Sequence, residues 1–448
     1  MWFESPNGLV LGSERFLEAF YLEKGLIMCS FMPSYLVRGV MLRVVLSSIV
    51  LVATTAFAGT ERTIDGVLQV ENGAAPTGGR ETWQLEELWR VGGEDEDMIF
   101  GQIVEAVADS EGNVYLLDAQ LCHVQAFSPR GEHIGTLSRE GEGPGEMSTP
   151  ADLLVLPSGN LGIVRTFPGK LIKITTDGTP VGTALVGAKD PTKGGFIACF
   201  RGACMGSNLI LCGARSNMTG SEQSRVWYAD RFDEDGRVVA SCFEMTSVVD
   251  FTHLELVEQD LVVWGAVSAA PGPSGRVFVA PDHNRYAITV YGPAGTVNRI
   301  IERQFENRRR TDHERALLHA VFRSWARGST AETTVKIEDC PPAVTSMHVT
   351  ADGDLWVQHS KSGRDQADGI MLTYDVFDKD GHFTKQVAIS CQGDPDNDRL
   401  IWLSDDTVLL VTDLMGAFFG NMADGALDLE EEDAGAMAQE VIYYRVRN

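Results

Sequence analysis

One short design recurs along this chain at a nearly constant interval, and the recurrence limits the fold more than any other feature. "DSEGNVYLLD" (109–118), "LPSGNLGIVR" (156–165) and "CMGSNLILCG" (204–213) each set a tight turn before an apolar strand. Their glycines, Gly112, Gly159 and Gly206, stand 47 residues apart. "GPSGRVFVAP" (272–281), "TADGDLWVQH" (350–359) and "LSDDTVLLVT" (403–412) continue the pattern, the last with Asp405 and Asp406 in the turn. A second glycine turn follows in five of these units, at Gly131, Gly178, Gly236, Gly295 and Gly381. Each comes after a strand with an aromatic or β-branched core: "HVQAF", "LIKIT", "WYADRF", "ITVY" and "YDVF". Glycine is expected there because tight hairpin turns need positive φ. In the sixth unit "VIYYRV" (441–446) supplies a final strand.

Each unit thus reads as four short antiparallel strands, A to D, with glycine turns joining A to B and C to D. A period near 47 with four strands per unit is the pattern of propeller blades. One such sheet cannot bury both its faces; a ring of them can. The expectation is an all-β, six-bladed β-propeller of four-stranded antiparallel blades over residues 82–448. "TWQLEELWRV" (82–91) precedes the first A strand and is placed to complete the last blade and lock the ring. Residues 59–81, containing "NGAAPTGGRE", read as a flexible lead-in.

The segment "GNVYLLDAQLCHVQAFSPRGEHIGTL" (112–137) resembles an NHL-type blade. Such blades read Gly-x-apolar-Tyr-apolar-x-Asp, then Asn-x-Arg-apolar-x-x-Phe, then Asp-Gly. Here Gln120 and His123 stand near the usual Asn and Arg. The run "GEGPGEM" before "ADLLVL", with "YDVFDKDG" later, is similar to exported bacterial six-bladed propeller proteins of largely unassigned role. The resemblance covers about residues 82–448 and implies the fold, not a function. The Trp-Asp dipeptide of another propeller class is absent.

Spacing locates the extra residues. First to second glycine takes 19 residues in units one and two (112 to 131, 159 to 178) and 20 in unit four (275 to 295). It takes 30 in unit three (206 to 236) and 28 in unit five (353 to 381), with the surplus between strands B and C. From second glycine to the next first glycine the short value is 28 (131 to 159), rising to 39 (236 to 275) and 58 (295 to 353) in D-to-A connections. B–C and D–A connections leave an up-and-down sheet at the same end, so the sizeable insertions share one face. Binding residues concentrate on such loops, whereas neutral drift would scatter over both faces. "REGEGPGEM" (139–147) belongs to this face as a connector. It lacks the Gly-Lys-Ser/Thr end and following helix of a phosphate loop.

The longest insertion, between blades four and five, carries a short helix. Thr311 and Glu314 form a capping box. Leu317, Leu318, Val321, Phe322 and Trp325 then follow at helical spacing up to Gly328. Arg308, Arg309, Arg310, Arg315, Arg323 and Arg327 decorate it. It reads either as a lid or docking element, or as a helix packed on the propeller with its arginines toward water and nearby carboxylates.

Polar residues end several B strands on the inserted face: Asp118, Arg165, Asp282, His359 and Asp413. A ring would carry these candidate binding residues toward a common rim around the channel, where carboxylates and a histidine could hold a cation or act as acid and base. The alternative is that each Asp caps its own turn and the His and Arg tie loops down. No cofactor is predicted; calcium is the metal such oxygen groups would suit. "DPDNDRL" (394–400) lacks the glycine and closing glutamate of an EF-hand loop. Nucleophile-elbow, zinc-protease and dinucleotide motifs are absent. The leading function is a recognition module binding a protein, peptide or glycan on the inserted face. The other readings are a metal-dependent hydrolase or lyase at the channel mouth and a purely structural envelope protein.

Charge and the N-terminal region bear on location. Lys and Arg number 37 against 63 Asp and Glu, a formal net charge of −26, which opposes binding to nucleic acid or anionic lipid. "MLRVVLSSIVLVATTAFAG" (41–59) has the layout of a secretory signal: Arg43, an apolar run, and Ala56-Phe57-Ala58 before the cut. The run is too short to span a bilayer, so no stable membrane insertion is expected after cleavage. Residues 1–40 read as a non-native extension before a start at Met41 or Met32, 41–58 as the signal peptide, and the mature chain as exported, periplasmic or extracellular. Eight cysteines less Cys29 leave seven. "ACFRGACMGSNLILCG" holds three of them, either as a local bridge or as small buried hydrophobes.

Overall fold

A computed structural model describes residues 59–93, 98–187, 196–261, 268–326, 331–417 and 438–447. The expected extension and signal peptide, the acidic runs at 94–97 and 428–433, and most of the sixth B–C insertion lie outside the described residues. Three strands come first: β1 (Thr60–Ile64), β2 (Val67–Asn72) and β3 (Arg80–Gly92). The repeated units follow. Unit one is β4 (Ile103–Ala108), β5 (Val114–Asp118), β6 (His123–Phe127) and β7 (His133–Thr136). Unit two is β8 (Pro150–Val155), β9 (Leu161–Arg165), β10 (Lys170–Ile174) and β11 (Pro180–Leu185). Unit three is β12 (Phe196–Met205), β13 (Asn208–Thr219), β14 (Glu222–Phe232) and β15 (Val238–Asp250). After β16 (His253–Val257) and the short helix α1 (Glu258–Leu261), unit four is β17 (Ser268–Pro271), β18 (Val277–Ala280), β19 (Ala287–Tyr291) and β20 (Val297–Arg303). Helix α2 (Asp312–Trp325) and β21 (Glu332–Lys336) precede unit five: β22 (Val344–Val349), β23 (Leu355–His359), β24 (Ile370–Phe377) and β25 (Phe383–Ser390). Last come β26 (Arg399–Trp402), β27 (Thr407–Val411) and β28 (Glu440–Arg447).

Each unit is an antiparallel sheet whose strands are hydrogen-bonded in chain order, and β3 is the fourth strand beside β28. This is the architecture of a β-propeller, with its first strands innermost. Side-chain alternation explains how neighbouring sheets adhere. In β5, Tyr115 and Leu117 join a core with Leu153, Leu161 and Ile163 of unit two. Val114 and Leu116, on the opposite face, join Leu409, Val411 and Tyr443 of the last unit. Four further pairings follow: units two and three share a core around Leu154, Val164 and Leu211, three and four around Trp227 and Val279, four and five around Ile288 and Val357, and five and six around Trp356 and Leu410. Middle strands are therefore apolar on both faces, while the outer β7 and β11 are largely exposed.

The segment expected to be a flexible lead-in is instead ordered structure. β1 and β2 form a hairpin around Asp65–Gly66, both at positive φ (50° and 84°), and β2 pairs in parallel with β20. Asn72, buried, donates to the carbonyls of Glu302 (3.1 Å) and Gly381 (2.9 Å) and accepts from the Phe383 amide (2.8 Å), tying units four and five together. The hairpin signal, alternating residues around Asp-Gly, was present locally. Its partner strand lies over 200 positions away and carries no local mark. β3 then runs parallel to β25 through Arg80–Gln84 and antiparallel to β28 through Gln84–Gly92.

The insertion helix forms where its spacing places it. Thr311 caps it, with the reciprocal Glu314 bond present. Val321 and Phe322 are buried, Phe322 against the core of units three and four. Arg308 grips Glu314 with two bonds (2.9 and 2.5 Å), Arg310 grips Glu258 with two (2.7 and 2.6 Å), and Arg315 meets Asp312 at 2.7 Å. These three arginines face carboxylates, as the packed-helix reading expects. All seven cysteines in the described residues are free, so the local bridge does not form; Cys199 and Cys212 are buried, and burial pushes the Cys212 thiol up to about 12.

Candidate functional site

Each B-strand end is engaged by its own surroundings. Asp118 is buried, and its carboxylate accepts from the amides of Gly101 (2.7 Å), Gln102 (3.1 Å) and Leu121 (3.0 Å). Arg165 makes a two-pronged pair with Glu142 at 2.7 and 2.6 Å. Asp282 accepts from the amides of Asn284 and Arg285, an Asx-type turn. His359 is buried, accepts from the Lys361 amide through Nδ1 (3.2 Å), and holds Nε2 3.5 Å from Asp375. Asp413 sits at positive φ (50°) and its amide donates to Asp398 at 2.9 Å. None of the five lines the central cavity, and the tie-down alternative describes these contacts. Among the described residues no three His, Cys, Asp or Glu side chains are placed to share a metal ion.

His359 does belong to a polar cluster, between units four and five. Asp375, fully buried on β24, meets Arg303, the Tyr286 hydroxyl (2.9 Å) and the Gln386 amide (3.0 Å) as well as His359. Burial opposes ionisation of Asp375, but bonds and charge from His359, Arg303 and Gln386 outweigh it and hold its pKa below the ordinary value.

The innermost strands supply a different set of charges. β4, β8, β12, β17, β22 and β26 together line one cavity of about 910 Å³, the central channel. Four of these strands carry the same irregularity. The register slips between Ile103 and Glu105, Pro150 and Asp152, Cys199 and Arg201, and Val344 and Ser346. A bulge re-aims the residues beside it. The residue just past each slip is polar: Glu105, Asp152, Arg201 and Ser346. Arg399 opens β26. These positions fall toward the D–A end of the channel, the end with the long loops.

Electrostatics single out Asp152. It is 2% exposed, and its carboxylate accepts from the amides of Leu153 (2.9 Å) and Gly202 (2.8 Å), bridging units two and three. Burial first, then the charge of Glu105, push its carboxyl up to about 7, against the opposing pull of Arg201 and the two amides. Glu105 is held by Arg399 at 3.0 Å, and Arg399 also donates to the Val104 carbonyl at 2.8 Å, linking the last unit to the first. Toward the other end, His348 stacks on Trp402 (5.6 Å) and burial pulls it down to about 4.

Sequence reasoning passed over these residues because it looked at strand ends. A signal was available: Glu105 and Asp152 are charged residues inside otherwise apolar A strands, each seven positions before its turn glycine (112 − 105 and 159 − 152). The bulges that orient them had no sequence mark.

No family model and no curated protein matches the chain. Solved structures of similar shape include the pyrroloquinoline-quinone-bound aldose sugar dehydrogenase of Streptomyces coelicolor, at 11% identity and a TM-score of 0.41 over 81% of this chain and 98% of that one. A DUF4221-family protein of Bacteroides vulgatus has 6% identity and a TM-score of 0.41 over 82% and 99%. Virginiamycin B lyase of Staphylococcus aureus has 8% identity and a TM-score of 0.38 over 82% and 99%. The fold description rests on the sheet order and shared cores rather than on these likenesses.

Proposed function

We propose that the chain is an exported six-bladed propeller that acts as a recognition module, binding a protein, peptide or glycan on the face of the long B–C and D–A loops. Six four-stranded sets, each sharing a core with the next and the last with the first, support the closed ring. The observation that carries the functional reading is the distribution of exposed large apolar side chains. Eight of the fourteen lie on outer fourth strands or on β1: Ile64, Leu88, Ile134, Val181, Leu185, Val238, Val239 and Val248. Of the other six, Ile99, Leu121, Phe167 and Phe251 lie in B–C and D–A connections and Phe196 and Met218 at the same end of β12 and β13, whereas Ile64, Ile134, Val181, Val238 and Val239 stand at the opposite end of their strands. The A–B and C–D turns contribute none among the described residues. Apolar side chains held in water within connecting loops, here only those of the B–C and D–A face among the described residues, suit a partner that covers them.

The second reading, a hydrolase or lyase at the channel mouth, draws support from the Glu105–Asp152 pair, because a carboxyl titrating at about 7 can serve as acid or base near neutrality. A metal-dependent version needs further ligands, which the described residues do not bring together. Arrays of immobilised peptides and of oligosaccharides, probed with the purified protein and with the Phe167→Ser, Phe196→Ser double variant, test the leading reading. It expects binding that the double variant weakens; binding indifferent to the loop face refutes it.

A further inference from the structure

We propose that the loop-face half of the channel receives the C-terminal end of an extended peptide, its carboxylate held by the guanidinium of Arg201. This rests on the recognition reading and adds the ligand's chemistry. Arg201 lies on the innermost strand β12, lines the cavity and is half-buried. No described residue hydrogen-bonds to its guanidinium or pairs with it within salt-bridge distance. Other charged residues lining the cavity are engaged elsewhere. Arg399 holds Glu105, Asp396 is gripped by Arg364 (2.8 Å), Asp398 accepts from the amides of Asp394 (2.8 Å) and Asp413 (2.9 Å), and Asp152 accepts from Gly202. A partly desolvated guanidinium that only acts at a distance on Asp152, with no hydrogen-bonded partner among the described residues, is an open half of the two-pronged carboxylate pair that Arg side chains form best. Asp152, titrating at about 7, carries only part of its charge at neutral pH, so it repels an incoming carboxylate weakly.

Two features favour a peptide over another source of carboxylate. Each innermost strand stands at the end of its sheet order, so its channel-side N–H and C=O groups have no partner strand. An extended backbone offers complementary groups; a sugar ring does not offer them at strand spacing. Outside the channel, Phe167 and Phe196 meet edge to face at 5.8 Å, with Leu121 and Met218 also exposed on the same face. These surfaces suit apolar side chains upstream of the terminus.

The test uses a dye-labelled hexapeptide library with free C-termini, the same library amidated, and a set of uronic-acid oligosaccharides. Binding is measured on the wild-type protein and on Arg201→Gln, Arg201→Lys and the Phe167→Ser, Phe196→Ser variant, each checked for an unchanged melting temperature. The expected result is selection of free-carboxylate peptides, a loss of about ten-fold or more on amidation and in Arg201→Gln, and a smaller loss in Arg201→Lys. Peptide binding that ignores amidation and Arg201→Gln but falls in the double phenylalanine variant overturns the channel site and leaves face recognition standing. Uronide binding that depends on Arg201, without peptide binding, overturns the peptide assignment. Failure of every library to bind overturns the channel proposal and counts against the recognition reading as well.

Discussion

Replacing Asp152 by Asn should favour the fold, relative to the wild type, increasingly as pH rises. An ordinary Asp in an unfolded chain titrates near about 3.9, whereas the folded group titrates at about 7. Each unit of separation corresponds to about 1.36 kcal/mol, so the fully ionised side chain weighs against the fold by roughly 4 kcal/mol. Between the two values the native state holds the proton that the unfolded state has released. The stability associated with protonated Asp152 is therefore complete below about pH 4 and gone once pH has passed about 7. The amide of Asp152→Asn never ionises. It can offer one oxygen where the carboxylate offers two, to Leu153 and Gly202, an offset of about 1–3 kcal/mol that does not vary with pH. Urea unfolding of both proteins from about pH 4 to 8 isolates the variable part: variant minus wild type should climb by roughly 3–4 kcal/mol across that range. Two parallel stability curves would refute the reasoning, since they would mean that burial and Glu105 do not raise this carboxyl.

Further expectations follow from the packing and the paired charges. Leu116→Ala, in the core between the first and last units, should cost about 2–5 kcal/mol in urea unfolding. Arg310→Ala strands Glu258 in a nearly buried pair and should cost about 3–5 kcal/mol, while Glu258→Gln in the same background should recover part of it. Thr311→Ala should lower stability by about 1 kcal/mol through loss of the helix cap. Glu314, held down to about 2 chiefly by Arg308, contributes stability above the ordinary glutamate range that is lost as pH falls toward about 2. Glu314→Gln should therefore flatten the acid limb of the unfolding profile. In the native state Cys122, Cys199 and Cys212 should resist alkylation and react after unfolding, because they are buried and burial raises their thiols.

The parts of the fold legible beforehand were those written locally. Turn glycines with strands on either side gave the A–B and C–D hairpins, and residues 311–325 gave a capped helix. The closing role of residues 82–91 was legible because the last unit lacked a fourth strand. Pairings between distant segments were not: β2 with β20, β16 with β21, and the first half of β3 with β25. Each is parallel, so no short turn announces it. The channel charges went unread for a related reason. Asp118, Arg165 and His359 stand opposite Ile103, Pro150 and Val344, so the repeat did place them equivalently. Local amides and ion pairs then claimed each one. The residues one slip further along the inner strands reach the channel, and a bulge is a property of paired backbones rather than of a sequence window.

The double engagement of β3 sets an order of events during synthesis. Gly92 pairs with Glu440, 440 − 92 = 348 positions later. At about 5–20 residues per second, residues 80–92 wait roughly 20–70 s after leaving the ribosome before their final neighbours exist. Until β25 is made the thirteen-residue strand carrying Trp83 and Trp89 has no mate at all, and until β28 is made its second half has none and the first and last units lack their common wall. Loss of the closing eight residues, 440–447, would leave that strand half unclaimed permanently, so a short C-terminal truncation should be far more damaging to this chain than the number of residues removed suggests.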